Sequence, residues 1–446
     1  MKTKGLFYII IFLVLQNGFS QERDVFKLIE KVVEKEQQLN LKLYKHLHQN
    51  PELSFQEKET SKRMALELKT LGFDVTEGIG GYGVVGVFKN GSGPTIMLRT
   101  DLDALPLKEK TGLSYASTEK AMLEKKEVSV MHACGHDIHM VSFIGTAKTL
   151  IKLKAYWSGT LFMLAQPAEE RGGAKLVLND GLFEKFSTPD YALAYHVSPT
   201  IQAGKIGYTS GPAWAKVNTL EITVRGLGGH GAKPHKAIDP IVLSSRIILA
   251  IQTITSREIS AIEPAVITVG AIHGGSKHNI IPEEVHLMLT LRSCSEDVAL
   301  HMINSIQRIC NGVAESAGLP EDKYPIIIEV DESLPPGIND PELTARVADL
   351  LKSKMDDNII KEAPVMSSED FYRFGNTPEH IPLTMLRLGS VSANKILNFK
   401  AKEEPLPSLH SSFYAPDPEL TIKTGIVGMS FSIIKLMEDF NNKLKK

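Results

Sequence analysis

Cysteine is scarce: the 446 residues hold only Cys134, Cys294 and Cys310. An exported chain stapled by disulfides carries more, usually in even number, so at most one bridge is available and the fold must rest on an apolar core. Charge of one sign is also missing, since 50 lysines and arginines face 52 aspartates and glutamates. That excludes the basic excess of a nucleic-acid binder and gives no like-charge run for a disordered tail, so the expected ligand is a small molecule. No internal repeat, low-complexity stretch or Gly-x-Ser-x-Gly nucleophile elbow occurs. The apolar run Leu6 to Leu15 is too short for a comfortable membrane span. It follows Lys2 and Lys4 and precedes Gly18 and Ser20, small residues at positions −3 and −1 of a cleavage after Ser20. This is the layout of a secretory signal peptide, read over residues 1–20, with an uncleaved anchor as the alternative. The expectation is export to a periplasmic or extracellular space, with no membrane attachment after cleavage.

What is present is ordinary globular composition, 43% hydrophobic and 23% charged, in a chain long enough for two or three domains. Residues 23–71 carry apolar positions at three- and four-residue steps, broken at Asn50–Pro51. Short apolar runs at 84–88 and 95–99 flank Asn90-Gly91-Ser92-Gly93-Pro94 and read as two strands and a turn. Runs at 161–166 and 191–196 are further strands, with helical stretches near 141–152 and 173–179. Alternating strands and helices indicate a layered α/β domain. From about residue 213 the order becomes strand 217–224, helix 239–254, strands 265–272 and 284–292, helix 297–317 and strand 326–330. That β-α-β-β-α-β order is ferredoxin-like. The expected architecture is therefore two-domain α/β: a catalytic domain with a mixed sheet over 21–212 and 332–446, interrupted by an α+β domain over 213–331.

The densest chemistry lies in His132-Ala133-Cys134-Gly135-His136-Asp137-Ile138-His139. Thiolate and imidazole are both good ligands for zinc and similar metals. Gln166-Pro167-Ala168-Glu169-Glu170 follows an apolar strand. Two adjacent carboxylates there repel unless a cation takes one of them, which leaves the other available as a general base; taken alone, a solvated acidic pair fits as well. His196 ends a predicted strand and His410 lies in a proline-rich loop. A lone histidine in either place is more often packed or exposed than ligating.

The motifs gain meaning from their order: Arg99–Pro106 (RTDLDALP), Cys134–His139, Gln166–Glu170, His196, Gly228-Gly229-His230-Gly231-Ala232-Lys233-Pro234-His235, Met366–Phe371 (MSSEDF) and Leu409-His410. Together they resemble the amidohydrolase branch of the aminoacylase and carboxypeptidase-G-like dinuclear metallopeptidases, which includes hippurate hydrolases, N-acyl-amino-acid amidohydrolases and auxin-conjugate hydrolases. The resemblance implies two divalent metals per subunit, held by Cys134, His136, Glu170, His196 and His410, with the thiolate bridging where related enzymes use an aspartate. It implies that Glu169 is the general acid/base, that Asp101 supports the metal site from behind, and that a metal-activated hydroxide attacks the amide of an N-acyl amino acid or dipeptide. The inserted domain then corresponds to a lid and dimerisation domain, with His230 reaching the reaction centre of a partner subunit and Asn279 and Arg292 binding the substrate. Cysteine and histidine ligands favour zinc, while the carboxylate leaves manganese or cobalt open. Leu227 and Arg171 depart from residues common in the family. Two other classes stay open at this point: a cysteine hydrolase built on Cys134 and a neighbouring histidine, and a non-catalytic metal- or peptide-binding relative.

Overall fold

The computed structural model describes residues 24–444. The signal-peptide reading of residues 1–20 lies outside them.

The break at Asn50–Pro51 separates two helices, Val25–Gln49 and Lys58–Thr70. Asp24 caps the first, its carboxylate accepting from the Phe26 N–H at 3.2 Å. An eight-stranded sheet follows, with strands in the order 74–79, 83–90, 159–166, 95–101, 191–202, 383–391, 206–208 and 359–361. The middle four strands are parallel to one another. The two apolar runs beside Asn90–Pro94 are both strands, but they are not neighbours: Gly159–Gln166 lies between Gly83–Asn90 and Thr95–Asp101. A turn signal fixes a change of direction and not a pairing partner. Here the parallel match of Asp101 with Gln166 and the antiparallel match of Val84 with Ala165 take precedence over a local hairpin.

Both faces of this sheet are covered, which accounts for the near-continuous apolar composition of its central strands. One core packs the helices Val25–Gln49, His136–Lys152 and Pro418–Leu444 on one side. The other lies under the short helices Gly173–Asn179 and Leu182–Phe186 and the turn Asp370–Phe374. Pro418–Leu444 is long and apolar enough to cross a membrane, yet most of it is buried in the first core.

A second sheet is antiparallel, in the order 265–274, 284–293, 216–225 and 326–334. Glu284–Ser293 alternates, with Val285, Leu287, Leu289 and Leu291 pointing inwards. They pack beneath the helices Pro240–Thr253 and Glu296–Ser316. This is the ferredoxin-like arrangement expected from element order, set into the chain between strands of the larger sheet. All three cysteines are free and buried, so the one bridge left open above is not formed.

Candidate metal centre

The chemistry collects at the carboxyl ends of the central parallel strands, where open α/β sheets place their ligands. Thr95–Asp101 ends there with Asp101. Continuing the pairing of Arg99 with Ala194 by two residues sets Asp101 level with His196 on the neighbouring strand. The segment from Pro167 to Glu170 leaves the end of Gly159–Gln166. Gly135, at φ +79°, turns the chain so that His136 opens the helix His136–Lys152, and a side chain at 135 would meet Val197 at 2.6 Å. His410 arrives from the far end of the chain, tied by its N–H to the Ala133 carbonyl at 2.9 Å.

These placements create two groups of donor atoms. Cys134, His136 and His196 bring ligand atoms within 4.8 Å of one another, and so do Cys134, Glu170 and His410. Cys134 belongs to both, which is the position of a bridging ligand. Its sulfur lies 3.5 Å from His196 Nε2 and 3.3 Å from His410 Nε2. Backbone carbonyls fix the imidazole tautomers. His136 Nδ1 donates to the Asp103 carbonyl and His196 Nδ1 to the Val197 carbonyl, each at 2.8 Å. Both Nε2 atoms therefore face the centre. His136 Nε2 and Glu170 Oε1 are buried without a hydrogen-bond partner, although Glu170 Oε1 lies 3.1 Å from His410 Nε2. Orphaned buried acceptors beside a thiol and imidazoles are the atoms that divalent cations satisfy. The donor set fits a metal pair sharing Cys134.

Electrostatics agree. Burial, followed by Glu170 and Glu169, pushes the Cys134 thiol well above its usual range, so without a cation it stays protonated. Burial and the His139 ring hold His196 neutral, the form that ligates. Burial lowers His136 but Asp101 and Asp103 outweigh it, raising it to about 10, so a cation must displace the Nε2 proton to be ligated there. Glu169 is raised well above the carboxylate range, by burial first and then by Glu369 and Glu170. Its Oε2 stands 3.8 Å from His136 Nε2.

Asp101 is fully buried beneath this set, accepting from His139 Nδ1 at 2.8 Å and Arg99 Nη1 at 2.7 Å, and lies 3.8 Å from His136 Nε2. His139 has no lone pair left for a metal, because Nδ1 donates to Asp101 and Nε2 accepts the Val197 N–H at 2.9 Å. The proposed lid residues stand elsewhere. His230 is exposed on a two-residue ladder with Ile280, and its Nδ1 accepts from the Ala232 N–H at 3.0 Å. The Asn279 carbonyl accepts the Gly231 N–H at 2.9 Å, so His230 and Asn279 meet at this small two-stranded ladder, which is separate from the second sheet. Arg292 is half-buried, donating to the Met366 carbonyl at 3.0 Å. None of the three makes a hydrogen bond or ion pair to the metal-site residues among the described residues.

Sequence reasoning assigned no role to Asp103. Its Oδ1 accepts the Glu169 N–H at 3.0 Å and its Oδ2 accepts the Glu170 N–H at 3.1 Å and the Ser54 hydroxyl at 2.6 Å. Glu57 holds the preceding N–H, of Ala168, at 2.7 Å. The repeated aspartate in Asp101-Leu102-Asp103 was the available signal.

A family model described as peptidase family M20/M25/M40 matches residues 97–404. The chain belongs to this family. It is 37% identical over 345 residues to thermostable carboxypeptidase 2 of Saccharolobus solfataricus, covering 75% of this chain and 82% of the relative. It is 38% identical over 334 residues to the hippurate hydrolase of Campylobacter jejuni, covering 74% and 83%. Among solved structures, a dinuclear metal-binding M20 peptidase of Bacillus subtilis superposes with a TM-score of 0.75 at 25% identity, covering 91% of this chain and 99% of that one. This M20 chain is a metallo-amidohydrolase, and its centre is one for two divalent cations.

Proposed function

We propose that this M20 enzyme removes the acyl group from N-acyl amino acids or cleaves small peptide-like conjugates at the amide bond. The observation that carries the reading is the sharing of Cys134 by two donor triads with the buried Glu169 carboxyl beside them. Cys134, His136, His196, Glu170 and His410 would hold the two metals, zinc in the first instance. Bound there, the metals supply Lewis acidity towards the amide carbonyl and a nucleophilic water at neutral pH. Glu169 takes the proton of that water as it attacks, and returns it to the nitrogen as the C–N bond breaks. His230, presented by a partner subunit, stabilises the tetrahedral oxyanion, an effect of about 3–4 kcal/mol for a well-placed donor. Asn279 and Arg292 bind the substrate's α-carboxylate. Arg292 must release Met366 to present both guanidinium edges, as lid closure would allow.

The oligomer in this reading is a homodimer formed through the second sheet. Leu249 and Ile262 are 74% and 88% exposed on that domain, and Ala265–Gly274 has an unpaired edge among the described residues. Export through the N-terminal segment completes the proposal. A cysteine hydrolase is disfavoured by the thiol itself, which burial and two carboxylates keep protonated.

The test is hydrolysis of hippurate and a panel of N-acetyl amino acids by enzyme stripped of metal and reloaded with zinc, manganese or cobalt. Turnover that disappears with chelation and returns with metal supports the reading. Full turnover in the stripped enzyme, or no product from any acyl amino acid after reloading, contradicts it.

A further inference from the structure

Ala168 is the second residue after the strand Gly159–Gln166 and the last before the two glutamates of the site, and its backbone is left-handed, at φ 52° and ψ 43°. A residue with a Cβ avoids that region unless its surroundings hold it there. The same turn has glycine at 172, with φ +76°, and at 173, where a Cβ would meet the Pro167 carbonyl oxygen at 1.8 Å. Position 168 has no such freedom, so its conformation must be held from outside.

A row of carboxyl oxygens holds it. The Ala168 N–H donates to Glu57 Oε1 at 2.7 Å, the Glu169 N–H to Asp103 Oδ1 at 3.0 Å and the Glu170 N–H to Asp103 Oδ2 at 3.1 Å. Successive N–H groups around a left-handed residue form a concavity that suits such oxygens, and here the acids that fill it are the protein's own and both buried. Asp103 follows the strand Thr95–Asp101 by two residues. Glu57 belongs to a separate piece of chain that docks at the same place: the Ala104 N–H donates to the Glu52 carbonyl at 2.7 Å and the Ser54 hydroxyl to Asp103 at 2.6 Å. Glu57 stands at the N-cap position of the helix Lys58–Thr70, yet its side chain does not cap that helix. Glu52 does so instead, accepting the Glu59 N–H at 3.1 Å and the Thr60 N–H at 2.7 Å. The Glu57 side chain is turned away from its own helix and onto the loop of the candidate base.

We propose that Glu57 is a positioning residue for the reaction: by accepting the Ala168 N–H it keeps residue 168 left-handed, and so sends the next two side chains to different partners. Glu170 Oε1 then lies 3.1 Å from His410 Nε2, and Glu169 Oε2 lies 3.8 Å from His136 Nε2. The inference rests on the reading of Glu169 as the base and Glu170 as a metal ligand. No bond forms or breaks at Glu57 and no proton moves on it.

The experiment compares Glu57→Met, Glu57→Gln and the double variant Glu57→Met/Ala168→Gly, at saturating metal, with melting temperature measured alongside. Methionine fills the space without an acceptor, glutamine keeps an acceptor oxygen, and glycine is left-handed without help. Glu57→Met is expected to lose about 10-fold or more in kcat with KM held within about threefold, as changes to orienting groups commonly do. Glu57→Gln should stay within about threefold of the parent enzyme, and the double variant should regain most of the lost kcat although glycine does nothing for its melting temperature. A purely structural role would lower the melting temperature of Glu57→Met and leave kcat alone. That outcome overturns the proposal, as does a kcat loss that glycine at 168 does not relieve or that glutamine shares in full. If Glu57→Met does not fold, Glu57→Asp replaces it, since it keeps the acid but is one methylene short of the Ala168 N–H: the same kcat loss with the same relief by glycine supports the proposal, and unchanged kcat refutes it. Glu169→Gln runs in parallel, because turnover surviving that change would sink the base assignment itself, whatever Glu57 does.

Discussion

The side chain of Asp103 accepts the backbone N–H of Glu169 at 3.0 Å and, through its other oxygen, that of Glu170 at 3.1 Å. One buried carboxylate therefore sets the direction of both the candidate base and a candidate ligand, and its own carbonyl orients His136. Charge-assisted hydrogen bonds to a buried carboxylate are worth about 1.5–3 kcal/mol each. Asp103→Ala is expected to lower metal affinity and reduce kcat by at least about 10-fold, as changes to groups that orient ligands commonly do. Metal titration and steady-state kinetics check this; unchanged values for both would remove Asp103 from the site's support.

Cys134 is the atom the two triads share. Cys134→Ala is expected to leave less than two metals per chain after dialysis and to abolish turnover. Cys134→Asp, which keeps an anionic group at the shared position, is expected to regain metal. Elemental analysis of dialysed protein separates these outcomes, and full loading of the alanine variant would refute the bridging role.

His139 is expected to matter for stability more than for loading. Its removal leaves Asp101 Oδ1 and the Val197 N–H unpaired in the core, at about 1–3 kcal/mol for each buried group. His139→Ala is expected to unfold at clearly lower denaturant concentration while the metal-loaded protein still binds two ions. Urea unfolding with metal analysis tests it.

How much of this was legible beforehand divides along physical lines. The main elements of the inserted domain follow from apolar periodicity, as in Glu284–Ser293, and so does the helix Val25–Gln49, whereas the strands Asp74–Ile79, Ile206–Tyr208, Ile359–Lys361 and Leu383–Val391 of the larger sheet were not read. Strand neighbours were not legible: the turn residues at 90–94 say nothing about Gly159–Gln166 entering between their flanking strands. The residues expected to hold metal do meet, since motif order marked them. Arg99 and Asp103 stand inside quoted motifs without a role of their own, and Glu57 was not marked, because the partners that reveal them, Gln166, Glu169 and Ala168, lie 66 to 111 positions away.

A further consequence concerns alkaline pH. His48 is buried between Asp137, at 2.6 Å, and Glu109, at 3.1 Å. Burial lowers its pKa, but the hydrogen bonds to both acids outweigh that and raise it from 6.5 to about 9. A folded-state pKa above the unfolded value contributes stability that is complete below about pH 6.5 and is lost as pH rises towards 9. The protein is expected to lose stability across that window through this group, on the order of 3 kcal/mol at about 1.4 kcal/mol per pKa unit, and His48→Gln to flatten the decline. Chemical denaturation at several pH values measures it; an equal slope in both proteins would rule the cluster out as its source.

The central claim is that Glu169 acts beside a two-metal centre without being part of its ligand set. The most direct measurement is metal stoichiometry together with turnover in Glu169→Gln. The account predicts two metals per folded chain with kcat reduced by about 100-fold or more. A variant that keeps near-normal turnover, or that loses a metal in step with its activity, would contradict it.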